Sequence, residues 1–155
     1  MSFENSLKNG GIGEHVFWNH YIHMEDVRSI VDVRDDRQFQ EYDVDFLVEV
    51  RNRQFLWYEV KTDFKAHETG NIVYELSTAG HIGCFEKTKA QYIAYYVVHS
   101  EILYIISVKC LRQFVRFPVE PLQKVKMGDH AEGYKLPIAD LIKYKVIKQI
   151  FEGVK

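Results

Sequence analysis

Apolar and polar residues alternate with a period of two through the middle of the chain. In residues 43 to 50, Val44, Phe46, Val48 and Val50 fall on one face of an extended segment, with Asp43, Asp45 and Glu49 on the other. In residues 55 to 62 the same period separates Leu56, Tyr58 and Val60 from Trp57, Glu59 and Lys61. The polar stretch Arg51-Asn52-Arg53-Gln54 between them, with an Asn that tolerates the left-handed conformation, predicts a β-hairpin. Residues directly opposite in a ladder share a face, so the register decides what the hairpin can do. An odd-length loop such as 51 to 53 pairs Asp45 with Glu59, whereas a two-residue turn at 52 and 53 pairs position 45 with 60 and sends the carboxylates to opposite faces.

Upstream, Val16, Phe17, His20, Tyr21, Met24, Val27 and Ile30 or Val31 recur at helical spacing, which predicts a first helix over 14–30 after a glycine-rich start. Downstream the pattern predicts a third strand at 71–76 and a short helix at 86–91. Two strands follow at 92–99 and 101–109, joined by a tight turn near Ser100. A short helix at 111–117, a loop at 120–134 with Gly128 and Gly133, and one or two helices at 138–151 after Pro137 complete the chain. The order αβββαββ predicts an α/β (α+β) fold, a central mixed β-sheet flanked by helices. The 155 residues, with neither repeats nor linkers, fit one domain spanning 1–155.

Ten Tyr, ten Phe and a charged fraction of 27% exclude a disordered chain. Cys84 and Cys110 show neither a CxxC spacing nor a disulfide framework, and no signal peptide or long apolar span is present. The expected setting is therefore reducing, intracellular and cytoplasmic, without a membrane. The net charge of −2 is not that of a basic nucleic-acid binder, but it conceals a division. Residues 1–108 hold 10 Lys and Arg against 17 Asp and Glu, and residues 109–155 hold 10 against 5. An acidic metal-binding part followed by a basic one fits a nuclease, since a cation offsets local negative charge, and it equally fits ordinary solvated surface.

The hairpin carries the chemistry. Asp45 and Glu59 supply hard oxygen ligands for Mg²⁺ or Mn²⁺, with the Val60 carbonyl as a third because it lies between the two functional side chains. Lys61 is placed to hold or help deprotonate an attacking water and to offset charge in the transition state; its plainer role is an ion pair with Glu59. Asp43 shares the face of Asp45, either as a second ligand or as a neighbour that deepens the negative potential. The face of Glu75 is not fixed by the pattern. Lys87, Lys89 and Arg53 are candidate phosphate contacts. His20 and His23, at i and i+3, lack a third ligand for zinc, and Gly10-Gly11-Ile12-Gly13 lacks the context of a phosphate loop.

These residues resemble the PD-(D/E)XK nuclease superfamily, whose signature is an Asp on one strand and an acid-x-Lys triplet on the next. Asp45 follows Val44 where the signature has proline, and Glu59-Val60-Lys61 is intact. Gly13-Glu14, opening a helix, resembles the acidic element of the first helix in junction-resolving members. The stretches Asp32 to Asp45, Thr69 to Glu75 and Lys87 to Tyr92 look like small phage- and plasmid-borne nucleases of this group, so the resemblance spans roughly residues 13 to 110. It implies a restriction-endonuclease-like αβββαβ core and Mg²⁺-dependent endonucleolytic hydrolysis of DNA. It further implies Asp45, Glu59, Lys61 and Glu14 as catalytic residues, DNA as partner, and a homodimer as one allowed assembly. Two other classes fit the same pattern: a non-catalytic nucleic-acid- or protein-binding module on a nuclease-like fold, and a metal-dependent hydrolase with another substrate.

Overall fold

In the computed structural model, which describes residues 3–127 and 130–155, the hairpin adopts the odd-loop register. Strands β2 (Phe46–Val50) and β3 (Phe55–Asp63) pair Phe46 with Tyr58 and Val48 with Leu56; just before the ladder the Asp45 N–H also bonds to Tyr58 O (2.8 Å). Val50 N–H donates to Gln54 O (3.0 Å) and Arg53 N–H to Val50 O (2.8 Å), closing a three-residue turn. Arg53, at φ 61°, takes the left-handed position in it, and Asn52 instead accepts the Gln54 N–H through Oδ1 (3.0 Å).

Around this hairpin a six-stranded mixed sheet assembles in the order β1-β2-β3-β6-β7-β10, with β1 (Val27–Asp32), β6 (Tyr92–Val97), β7 (Ile102–Ser107) and β10 (Ile147–Glu152). Its one parallel pairing, β3 with β6, sets Glu59 opposite Ile93 and Lys61 opposite Tyr95. Helix α1 (Phe3–Tyr21) covers one face, where Val16, Phe17 and Tyr21 are buried with Phe46, Val48, Tyr58, Val60 and Ile105. A second sheet covers part of the other face. It runs β5-β4-β9-β8, from β4 (Asn71–Thr78), β5 (His81–Ile82), β8 (Gln123–Met127) and β9 (Ala131–Pro137). Ile72, Tyr74 and Leu136 of this sheet form one buried cluster with Ile93, Tyr95 and Ile106. Helices α5 (Val108–Arg116) and α6 (Ile138–Lys143) add Leu111 and Leu141 to it. The short helices α2 (Arg37–Glu41), α3 (Ala66–Thr69) and α4 (Cys84–Lys87) lie in the connections.

Helices thus flank a central mixed sheet as the pattern predicts, and several elements differ from expectation. The first helix ends at Tyr21, and the positions Val27, Ile30 and Val31, spaced to suit a helix, form the edge strand β1 because β2 offers an unpaired edge. The same helix starts far before residue 14 and runs through the glycines. At Gly13 a Cβ would stand 2.4 Å from Thr62 Oγ1, so α1 lies directly on β3 at the one residue that permits it. The third strand, β4, leaves the central sheet to pair antiparallel with β9. The predicted helix at 86–91 is the single turn α4, and the helix at 111–117 begins earlier, at Val108, with Ser107 Oγ capping Cys110 N–H (3.3 Å). The expected loop at 120–134 is the β8–β9 hairpin, of which residues 128–129 lie outside the described residues. The expected helix over 138–151 stops at Lys143 and continues as β10 against β7.

Candidate active site

Asp45 sits at the mouth of the hairpin, where regular alternation stops. Asp43 adopts φ 48°, so Val44 leaves the face of Phe46 and Val48 and packs with Val33, Leu47, Trp57 and Ala90; the expected common face of Val44, Phe46 and Val48 is corrected at this point. The Asp45 backbone is clamped from both sides: its N–H donates to Tyr58 O (2.8 Å) and its carbonyl accepts the Val33 N–H (3.0 Å). Its carboxylate Oδ2 accepts the Val60 N–H at 2.7 Å. A strand residue sends N–H and C=O toward the same neighbour, so the Val60 carbonyl points to the Asp45 side of β3. Burial raises the Asp45 carboxyl above its usual range, the Val60 N–H and the Lys61 charge acting against it and the Glu14 charge with it.

Glu59 lies on the face of β3 turned away from α1 and is only 6% exposed. Burial pushes its carboxyl up to about 7, against the pull of Lys61 and with a further push from Asp45. Lys61, two residues on and sharing that face, donates to Glu59 Oε1 at 2.5 Å and keeps its side chain 32% exposed. Burial pulls the ammonium's pKa down, but the charges of Glu59 and Asp45 outweigh it and hold the group cationic.

Glu14 approaches from the middle of α1, not from its opening turn as expected. Its carboxylate is engaged by Arg34, a residue to which sequence reasoning gave no role. Arg34 donates through Nη1 to Glu14 and through Nε to Asp32 Oδ1 (2.9 Å), and its guanidinium lies 5.1 Å from the Phe46 ring centroid. Asp32 ends β1 and Arg34 lies in the turn that follows, where its backbone N–H also donates to Asp32 Oδ1 (3.1 Å), so no strand alternation announced the pair. Glu14 and Arg34 border the site, and the charges of both reach Asp45.

Lys87 is bound to Asp43 Oδ1 (2.8 Å), and Thr88 Oγ1 donates to the Asp43 carbonyl (2.6 Å), so Asp43 is held by the α4 loop. Lys89 is exposed and forms no ion pair among the described residues. Arg53 lies at the far end of the hairpin, five strand residues or roughly 17 Å from Asp45. Glu75, opposite Gly133 on β4, acts on Cys84, whose thiol is pushed up to about 11 by burial while Lys61 draws it down. Both cysteines are free, and neither Glu75 nor Cys84 announced its place by local pattern. The His20 ring packs on Phe151 at 4.3 Å, and burial lowers its pKa. Among the described residues no three His, Cys, Asp or Glu side chains form a ready metal cage, and no helix is long and apolar enough to cross a membrane.

No family profile and no curated protein matches the chain. Among solved structures, a bacterial homing endonuclease is similar with a TM-score of 0.50 and 18% identity, over 79% of this chain and 78% of its own. A nuclease from a fusellovirus is similar with a TM-score of 0.39 and 16% identity, over 88% of this chain and 82% of its own. The central mixed sheet flanked by helices is thus a fold this chain shares with a homing endonuclease.

Proposed function

We propose that this protein is a Mg²⁺- or Mn²⁺-dependent endonuclease of the PD-(D/E)XK type that hydrolyses DNA phosphodiester bonds. The observation that carries the reading is the hairpin register, which sets Asp45 against the Val60 N–H and puts Glu59 and Lys61 side by side on the adjacent strand.

The donor set suits a hard divalent ion. Asp45 and Glu59 offer carboxylate oxygens, the Val60 carbonyl points to the same side, and Mg²⁺ is commonly held by one or two carboxylates with water and substrate oxygens completing its shell. A buried and a half-buried carboxylate beside one ammonium also leave negative charge that a cation would balance. When bound, the ion would supply the Lewis acidity that polarises the phosphodiester and makes water acidic enough to react near neutral pH. The chain's own residues do the positioning. The Val60 N–H fixes the Asp45 carboxylate in one orientation. Lys61, partly exposed and with one N–H on Glu59, has its remaining donors for an attacking water or the phosphate and would offset the charge that builds during displacement. Glu14 adds a carboxylate at the border that Arg34 restrains.

The test is nicking of supercoiled plasmid by wild type with Mg²⁺ or EDTA, and by Lys61→Ala. Cleavage is expected with Mg²⁺ alone and to fall about 10²- to 10⁴-fold in the variant. Cleavage in EDTA, or an Ala variant as fast as wild type, would overturn the reading.

A further inference from the structure

Three arginines and lysines of α5 line a groove that the reaction chemistry does not use. Its volume is about 520 Å³; Gln91 and Tyr92 form one bank, and Lys109, Arg112 and Arg116 the other, with no acidic side chain in its walls. It lies at the end of β6 where α5 begins: Val108 and Leu111 of α5 pack with Ile93 and Tyr95 on the face that carries Glu59 and Lys61, while Tyr92 stacks on Tyr58 (ring centroids 5.5 Å) on the face covered by α1. Its backbone is close to theirs: Tyr92 pairs with Tyr58, one residue before Glu59, so the main chain at the head of the groove is about 3.3 Å along the strand and one strand spacing, about 4.8 Å, across from that of Glu59.

The cations are not equivalent. Arg112 spends its guanidinium on three carbonyls, Phe85 O (2.9 Å), Glu86 O (2.9 Å) and Thr88 O (2.8 Å), and Arg116 contacts Glu86 at 3.3 Å. Those bonds fasten the α4 loop between the groove and Asp43. Lys109 on α5, and Lys89 on the loop just before Gln91, are exposed and form no ion pair among the described residues. Both are free to take an external anion. The groove also opens the chain's basic segment, in which 10 Lys and Arg face 5 Asp and Glu, whereas the preceding 108 residues are acidic. A polyanion cut at Asp45 and Glu59 therefore meets repulsion over most of the protein and attraction here.

We infer that this groove is where the phosphodiester backbone of a DNA duplex lies as it leaves the cleavage site, held by Lys89 and Lys109 with Arg116 behind them. The inference rests on the nuclease reading for its partner, but a binding measurement in EDTA separates the two. Anisotropy of a fluorescein-labelled duplex is titrated against salt with wild type, with Lys89→Gln/Lys109→Gln, and with an equal-charge control, Lys124→Gln/Lys126→Gln on β8. Losing two phosphate contacts should flatten the slope of log K against log salt by about 1.8 in the groove variant, while the control stays near wild type. The Mg²⁺-induced shift in melting temperature should be the same in all three. Equal slopes in wild type and groove variant, or equal losses in groove variant and control, would overturn the groove while leaving plasmid nicking to decide the nuclease reading. A wild type that binds no duplex overturns both. Binding lost in the groove variant, with no nicking by wild type, upholds the groove and removes the catalysis.

Discussion

Burial of Glu59 makes the metal-free fold sensitive to pH in a direction opposite to that of most carboxylates. The group titrates at about 7 in the fold against an ordinary value of 4.5, because its protonated form suits the buried face better than its ion. A raised folded pKa contributes stability that is fully present below 4.5, falls as pH rises, and is gone above about 7. The two and a half units amount to about 3 kcal/mol at roughly 1.4 kcal/mol per unit. For a chain of this length that is on the order of 10 °C in melting temperature. His20 acts in the opposite sense, since burial lowers its pKa and stabilises the fold as pH rises, and Asp45, raised by burial, acts in the same sense as Glu59, so the wild-type curve alone mixes them. The difference between wild type and Glu59→Gln isolates Glu59, because Gln keeps the volume and can still accept from Lys61. Melting or urea unfolding in EDTA should show the two proteins nearly equal at pH 5 and the Gln variant more stable by about 3 kcal/mol at pH 8. Mg²⁺ at pH 8 should then stabilise wild type by about 2.7 kcal/mol at a hundredfold excess over its dissociation constant, and the variant by less. A wild-type-minus-variant difference that stays flat between pH 5 and 8 would refute the argument, for it would mean that the Glu59 carboxyl is solvated.

Gly13 and Gly11 of α1 should respond in opposite ways. Gly13→Ala drives a methyl against Thr62 and should lower unfolding stability by about 1–3 kcal/mol, whereas Gly11→Ala meets nothing within 4 Å and should raise it by up to about 1 kcal/mol. Arg112→Ala leaves three carbonyls of the α4 loop without a donor. It should cost about 1–3 kcal/mol and accelerate amide exchange across residues 84–91 more than elsewhere; uniform exchange would show that the loop holds itself.

The hairpin was legible because a period of two in both strands and a polar three-residue connection leave one register that buries the apolar faces. Of the candidate site, alternation alone put Glu59 and Lys61 on one face of β3, whereas the place of Asp45 depends on the Asp43 φ of 48° and on its own N–H bond to Tyr58 O, which no alternation contains. The end of α1 was not, because Val27, Ile30 and Val31 satisfy a helical spacing as well as an edge strand, and only the unpaired side of β2 decides between them. Strand β10 and the β8–β9 hairpin depend on pairings with β7 and β4 that no local window contains. Gly133 shows how such a sign misleads. It reads as a loop residue, yet a Cβ there would lie 2.4 Å from Tyr74 O, so it is a strand glycine that lets β4 approach. Among charged residues the pattern singled out Lys61 and Lys87, and the resemblance Glu14, but neither could show that Arg34 restrains Glu14 or that Lys87 is bound to Asp43.

Asp45→Asn tests the site most directly. The amide oxygen can still accept the Val60 N–H, so the local fold is kept while a buried charge that disfavours the metal-free state is removed. Plasmid cleavage in Mg²⁺ and the melting temperature in EDTA are measured on the same preparations of wild type and variant. Loss of cleavage together with an equal or higher melting temperature is the predicted result. Wild-type cleavage by a variant that melts at lower temperature would show Asp45 to be a structural carboxylate and would contradict the metal-dependent nuclease at its central residue.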